Sequence, residues 1–521
     1  MNTVSTSRPR VSSPVLVGEL MSSPVVTASP AQAVASAADA MVLAGVGSVV
    51  VVGDPGLPVG ILTERDLVRA AAAGVDARRA TVGEWMTAAP DTVAPTVSID
   101  EALETLARRG YRRIPVVDGD ALVGILSMRD LMRVASIRPA GEAAVDAPRG
   151  LKGVVVTDTT IGDVRGSEGF FHYRQYSAVD LAERRSLEDV WALLVDGALP
   201  DEQATAAFDR EIRPMRSLPP RLEPLLREVA AEAVGVGPLD ALRTVLSAVA
   251  ATECFRPSYD LGAGELRRDA LRLAAVTPTA VAALHRLGRG LDPVAPRADL
   301  GHAANYLWMI HGVEPTPEVA RAIEQYLVLT VDHGFNASTF TSRVIASTGA
   351  DLGAAVVGAL GALSGPLHGG APSRALALLD AIGTPERAPA LIRSAVEQGD
   401  RIMGFGHAVY QTDDPRSTLL RDVAVRLGGD RAALAVQVEQ LIVDTLAEVK
   451  PGRELYANVE YYAGVVMEAA GLPPELFTPT FAVSRVIGWC ANVLEQATDN
   501  RIIRPSARYV GPVPPQPVPA A

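Results

Sequence analysis

The stretch Met403-Gly-Phe-Gly-His-Ala-Val-Tyr410, followed closely by Asp413-Asp-Pro-Arg416, carries the reading of the larger part of this chain. Its histidine, His407, is flanked by glycine, which lets backbone or ligand approach closely because no Cβ stands in the way. Two more histidines have comparable settings. His368 lies in Ser364-Gly-Pro-Leu-His-Gly-Gly-Ala-Pro372, ahead of a helical run from Ser373 to Ala381, where Pro372 suits a first helical turn. A helix N-terminus disfavours added positive charge, so this imidazole is biased towards its neutral form. A neutral imidazole donates a hydrogen bond and can polarise a carbonyl. His333 lies in Val331-Asp-His-Gly-Phe-Asn-Ala-Ser-Thr-Phe-Thr341. One such histidine alone reads as a packed loop residue; three in one region point to a site. The other four of the seven, His172, His285, His302 and His311, fall in or beside helical patterns and read as structural or exposed.

Outward from these loops, Asn458-Val-Glu-Tyr-Tyr-Ala-Gly464 sets a single acid, Glu460, in apolar and aromatic surroundings. Loss of solvation there raises a carboxyl pKa and suits a general base. Arg416, Arg485 and Arg504 stand in Asp-Pro-Arg, Val-Ser-Arg and Ile-Arg-Pro contexts. Arginine binds carboxylates bidentately, so several converging on one place would hold a dicarboxylate. Each alone reads equally as a surface ion pair.

The first 137 residues are built differently. Val17-Gly-Glu-Leu-Met21 returns as Val82-Gly-Glu-Trp-Met86, and Gly60-Ile-Leu-Thr-Glu-Arg-Asp-Leu67 as Gly124-Ile-Leu-Ser-Met-Arg-Asp-Leu131, both about 65 residues on. Each copy reads helix, strand, strand, helix: Ala33 to Ala44, Ser48 to Val52 and Pro58 to Leu62, then Ile99 to Arg109, Ile114 to Val117 and Leu122 to Leu126. Thr63 and Ser127 then take helix N-cap positions, with Asp66 and Asp130 three residues later. That spacing suits a capped helix start. It also suits a nucleotide, since a carboxylate accepts from a ribose diol while the helix N-terminus favours phosphate.

Composition bounds the rest. The chain has 521 residues, 48% hydrophobic and 21% charged, as expected of a globular protein of more than one domain. Only 5% is aromatic, which favours closely packed helices with Ala, Val, Leu and Ile cores. A net charge of -12 argues against a broad nucleic-acid footprint or binding to an anionic membrane. Two cysteines, Cys254 and Cys490, make no disulfide framework, and no His, Cys or carboxylate spacing calls for a metal. The N-terminus lacks an apolar secretory core, and no apolar run approaches the roughly 20 residues that span a bilayer, so a cytoplasmic location is expected.

With these motifs in hand, residues 15–137 resemble a tandem CBS pair, an α/β regulatory module, and residues 151–510 resemble citrate synthase. The second resemblance rests on the motif order Asn-Ala-Ser-Thr-Phe-Thr, Gly-Pro-Leu-His-Gly-Gly-Ala, Gly-Phe-Gly-His-Ala-Val-Tyr with Asp-Pro-Arg, on Tyr173-Arg174, and on Tyr509-Val-Gly-Pro512. It implies a mostly α-helical fold with a large and a small domain, the small one at about 370–475. Residues 1–14, 138–150 and 511–521 read as a flexible N-terminus, a linker and a Pro-rich tail. The resemblance implies that Glu460 removes a methyl proton from acetyl-CoA, that His368 stabilises the enolate, and that His407 polarises the ketone of oxaloacetate. It implies that His333, Arg416, Arg485 and Arg504 hold the oxaloacetate carboxylates, with Arg504 reaching into a partner subunit of a homodimer. No cofactor is implied. The CBS resemblance nominates ATP, ADP or AMP as a regulatory ligand at Thr63, Asp66, Ser127 and Asp130, and allows higher oligomers through CBS pairing.

There are departures. Glu460 stands where the family usually has aspartate, and one extra methylene on a fixed backbone moves the carboxylate by over ~1 Å, which can cost on the order of 100-fold in rate. Gln411 stands where a basic residue near the CoA phosphates is expected, leaving the loop Ile402 to Gly406 as the main CoA contact. Two alternatives stay open: a 2-methylcitrate synthase using propionyl-CoA, and a catalytically weak nucleotide-sensing regulator.

Overall fold

The computed structural model describes residues 16–512, apart from positions 55, 100, 103, 104, 107–110, 112, 128–146, 152, 237, 366, 367, 370, 408 and 454. Asp130, most of the expected linker and the tail beyond 512 lie outside the described residues. Two compact units emerge, one of residues 1–146 with 507–521 and one of residues 147–506.

In the N-terminal unit, helix α1 (Val34–Ala44) ends at Gly45, whose φ of 64° a glycine adopts without strain. Strands β1 (Ser48–Val52) and β2 (Pro58–Thr63) pair antiparallel with Val50 opposite Ile61, and helix α2 (Glu64–Ala72) follows. The second repeat supplies β3 (Arg113–Asp118) and β4 (Ala121–Ser127), antiparallel with Ile114 opposite Leu126. Two small cores result, and each borrows from the other repeat. Val82 joins Ala37, Met41, Val49, Val51 and Leu62. Val17 joins Ala102, Leu106, Ile114, Val116 and Leu126. The sulfur of Met86 lies over Gly60 and that of Met21 over Gly124, each 2.3 Å from where a Cβ would stand. The repeated Val-Gly-Glu-x-Met segment therefore completes the opposite half.

The larger unit opens with a small antiparallel sheet, including β5 (Gly162–Arg165) paired with β6 (Phe170–Tyr173). The elements after it are helical. Those used below are α3 (Pro238–Thr252), α4 (Ala263–Gly288), α5 (Pro317–Thr330), α6 (Ala337–Ser347), α7 (Leu352–Leu363), α8 (Ala371–Ile382), α9 (Pro415–Leu427), α10 (Val459–Ala469) and α11 (Phe477–Thr498). The sheet is followed by two helices, Ala178–Arg184 and Leu187–Asp196. Ser186 caps the second by accepting from the Asp189 N–H, and the first ends at Arg184. Helix α11 runs through the core against α4, α6 and α7, burying Val483, Val486, Ile487, Trp489 and Cys490. Glycine makes the closest approach possible: a Cβ at Gly353 of α7 would sit 2.3 Å from the Cβ of Ala250 on α3. Among the described residues no helix is long and apolar enough to cross a membrane.

Candidate active site

A cavity of ≈ 750 Å³ opens inside the larger unit. His333, His368, His407, Glu460, Arg416 and Arg485 all line it, although they come from five separate segments of the chain. Arg504 does not. It lies exposed on the extended segment after α11.

His407 is held from its own loop. Its Nδ1 accepts the main-chain N–H groups of Val409 and Tyr410 at 3.0 and 3.1 Å, which places the ring proton on Nε2. Arg416 approaches that Nε2 at 3.3 Å, and because both atoms then carry hydrogen this is a contact and not a hydrogen bond. Burial, reinforced by Arg416, pushes the His407 pKa down to about 4, so the ring is a neutral donor at ordinary pH. The loop bearing it is latched to the segment before α10. Gly406 N–H donates to the Tyr456 carbonyl, Asn458 N–H to the Gly404 carbonyl, and the Asn458 amide to the Gly406 carbonyl. Gly404 takes a φ of 86° with Tyr461 and Ala375 within 3.2 Å of a would-be Cβ, so no larger residue fits.

His368 is joined through Nε2 to the Ser338 hydroxyl at 2.8 Å, and the Trp489 indole N–H donates to that hydroxyl at 3.2 Å. The same hydroxyl lies 2.8 Å from Asn336 Oδ1, and when it donates to His368 Nε2 instead, the imidazole proton sits on Nδ1. Burial and then Arg485 push the His368 pKa down to about 4. Ser338 belongs to the first turn of α6, where Asn336 accepts from the N–H groups of Ser338 and Thr339.

The acid and the arginines complete the site. Glu460 begins α10, capped by Asn458, and burial raises its pKa to about 7 despite the pull of Arg416. Arg416 is fully buried and gripped by Asp414, with Nε 2.9 Å from Oδ1 and Nη2 2.7 Å from Oδ2. Arg485 on α11 donates from Nε to the Thr330 carbonyl at 2.8 Å and lies over the Phe481 ring at 4.5 Å. It lines the cavity, and Asp332 is the acid whose charge acts on it. His333 meets the Tyr410 hydroxyl at 3.0 Å through Nε2, and burial, Arg416 and Arg485 hold its pKa well below the usual range.

Three cations also line the cavity: Arg401, Lys450 and Arg453, beside the loop Ile402 to Gly406. Gln411 is not among them; its N–H donates to the Gly166 carbonyl. These cations went unread in the sequence, as did Ser338, Tyr410 and Asp414, although the last three stand inside the motifs quoted above. Their partners lie on other segments, so only the quoted motifs themselves marked them.

In the N-terminal unit, Asp66 Oδ2 accepts both the N–H of Thr63 at 2.9 Å and its hydroxyl at 2.7 Å, and Oδ1 accepts from Arg69 at 3.0 Å. Both carboxylate oxygens are thus occupied within the helix start. Ser127 ends β4 opposite Arg113.

A carboxyl with a raised pKa, two neutral imidazoles and two buried arginines around one cavity are groups suited to an enzyme that enolises one carbonyl compound and adds it to an anionic second. Comparison with known proteins gives this class its family. Residues 150–506 match the family described as citrate synthase, C-terminal domain, and residues 17–73 and 82–137 each match the CBS domain. The chain is 39% identical over 368 residues to the citrate synthase of Deinococcus radiodurans, covering 70% of this chain and 95% of that one. Citrate synthase from Pyrobaculum aerophilum superposes with a TM-score of 0.64 at 36% identity, over 72% of this chain and 97% of that one. Citrate synthase from Thermoplasma acidophilum, solved as a ternary complex with carboxymethyl coenzyme A and oxaloacetate, gives 0.66 at 28% identity over 72% and 98%. The chain belongs to the citrate synthase family of acyltransferases and carries a CBS pair at its N-terminus.

Proposed function

We propose that the protein condenses acetyl-CoA with oxaloacetate to citrate and free CoA. The observation that carries this is the gathering of Glu460, His368, His407, Arg416 and Arg485 around one cavity, the two imidazoles neutral and the carboxyl pKa raised to about 7. The ionised Glu460 takes a methyl proton from the thioester while His368 donates from Nδ1 to the thioester oxygen. A carboxylate can do this only if the developing oxyanion is met by a donor already in place. The enolate carbon attacks the ketone carbon of oxaloacetate, and His407 donates from Nε2 to the oxygen that becomes the alcohol. Arg416, Arg485 and His333 hold the carboxylates, and water then cleaves the citryl thioester. Arg401, Lys450 and Arg453 supply positive charge for the CoA phosphates that Gln411 does not.

A homodimer fits two features. Arg504 is exposed on the segment after α11, and a groove of ≈ 620 Å³ between α3 and α7 is lined by Arg243, Ser247, Ala248 and Val357. In the N-terminal unit, Val42 and Leu43 are 83% and 92% exposed, apolar surface on which a CBS pair can meet a second copy. We assign the CBS pair to adenine nucleotide sensing at Thr63 with Asp66 and Ser127 with Asp130. Binding at the first of these displaces Arg69 from Asp66.

The test is release of CoA thiol from acetyl-CoA and oxaloacetate, with and without ATP, ADP or AMP. Turnover that shifts with one nucleotide supports both parts. A kcat/KM higher for propionyl-CoA would instead make the protein a 2-methylcitrate synthase, and no turnover with either thioester would leave a regulatory protein.

A further inference from the structure

Tyr410 touches three of the groups that the proposed reaction uses to hold oxaloacetate. Its hydroxyl meets His333 Nε2 at 3.0 Å, and its main-chain N–H donates to His407 Nδ1 at 3.1 Å. Its ring lies 4.8 Å from the His407 ring and 5.6 Å below the Arg416 guanidinium. The side chain is only 6% exposed and does not itself line the cavity.

A neutral imidazole has one N–H and one lone pair. A dicarboxylate offers acceptors only, so a lone pair turned towards it repels where an N–H binds. His333 has two ring nitrogens, and Tyr410 occupies Nε2. If Nε2 kept the proton and donated to the phenol oxygen, Nδ1 would turn a lone pair to the substrate. If the phenol donates to Nε2, the proton stands on Nδ1 and can meet a carboxylate. On His407 the same residue acts in the opposite sense, through its backbone: its N–H, together with that of Val409, occupies Nδ1 and leaves the proton on Nε2.

We propose that Tyr410 is a positioning residue that fixes opposite tautomers on the two histidines, its hydroxyl setting His333 and its main-chain N–H, beside that of Val409, setting His407. This rests on the oxaloacetate reading above. Tyr410→Phe removes the first action and leaves the second, along with the ring contacts. Ionisation of His333 bypasses the tautomer, because an imidazolium donates from both nitrogens. Arg416, Arg485 and His407 face His333 and oppose that ionisation, while Asp332 precedes it and a bound dicarboxylate favours it.

The experiment is calorimetric titration of the full-length protein with oxaloacetate, alongside CoA-release kinetics. Tyr410→Phe is expected to weaken oxaloacetate binding about 10-fold near pH 8, the loss of one buried hydrogen bond to a substrate group. The KM for acetyl-CoA and the melting temperature should hold. Burial, Arg416 and Arg485 hold His333 neutral, so the deficit should persist across the neutral pH range. In a His333→Gln background, the amide donates without a tautomer to select, and Tyr410→Phe should add no further loss. Wild-type affinity in Tyr410→Phe overturns the proposal, as does a loss of the same size beside His333→Gln. Wild-type protein that neither binds oxaloacetate nor releases CoA overturns the reading beneath it, and the proposal with it.

Discussion

Asp414 binds Arg416 through both carboxylate oxygens, and its Oδ2 also accepts the main-chain N–H of Val459 at 3.1 Å. One buried carboxylate thus ties the arginine on α9 to the first turn of α10, whose next residue is Glu460. The anion site and the base are built on the same hinge of charge. Asp414→Ala should therefore damage both at once. Leaving the buried guanidinium unpaired costs on the order of 3–5 kcal/mol of stability. Oxaloacetate KM should rise and kcat should fall by about 100-fold, since a shift near 1 Å in a reacting group has that effect. Steady-state kinetics and thermal melting read both; a fall in affinity alone would show that α10 keeps its place without Asp414.

The pH profile should report Glu460. Its pKa in the fold, about 7, lies above the ordinary 4.5 because burial disfavours the charged form. The active base is the ionised form, so kcat/KM should fall as the pH drops through about 7. His368 and His407, both near 4, stay neutral over that range and add no second limb until far lower pH. A single sigmoid is expected between pH 5 and pH 8 rather than a bell.

The same shift has a stability consequence of definite sign. An acid whose pKa is raised by folding destabilises the fold when ionised, fully above the folded value and not at all below the unfolded one. Glu460→Gln should therefore melt higher than wild type above pH 7, with the gain vanishing towards pH 4.5, and should lose turnover by at least about 1000-fold. Retained turnover would remove Glu460 as the base. Glu460→Asp, if faster than wild type, would show that the longer arm holds the carboxylate off its best position.

The Ser338 hydroxyl stands between the Trp489 indole N–H, Asn336 Oδ1 and His368 Nε2, where it is the group able to hold the His368 proton on Nδ1. Ser338→Ala should lower kcat by about 10- to 100-fold, with a matching slowdown in exchange of the acetyl-CoA methyl protons with solvent, because enolisation is the step His368 assists. Oxaloacetate affinity should not change. An exchange rate equal to wild type would mean the tautomer is fixed some other way.

Gly166, in the turn between β5 and β6, leaves no room for a side chain: a Cβ there would lie 2.0 Å from the Val409 carbonyl oxygen. Gly166→Ala must push away the loop that carries His407, so kcat should drop about 10-fold or more with a lower melting temperature. Gly264→Ala is the control. It sits in the first turn of α4 with nothing within 4 Å, where alanine stabilises the helix by about 0.5–1 kcal/mol.

Much was legible without coordinates. The three glycine-flanked histidines, Glu460 and two of the arginines are marked by local chemistry and all reach one cavity. The duplication in the first 137 residues is written twice, and β1 and β2 follow from apolar runs broken at a turn. Arg401, Lys450 and Arg453 gave no sign, since a cation in a turn looks the same whether it faces solvent or a cavity.

Residue order alone determined the list of chemical groups, their protonation tendencies and the presence of two repeats, because burial-prone spacing and glycine turns are local properties. Only the tertiary structure decided which nitrogen of His407 carries the proton, that Asp414 serves both Arg416 and α10, and that Val17 and Met21 complete the half of the N-terminal unit made by the second repeat. Each of those depends on a hydrogen bond or a packing contact whose geometry is set by folding. In the last case, Met21 meets Gly124 from far along the chain, and no periodicity within either repeat encodes which copy it will cover.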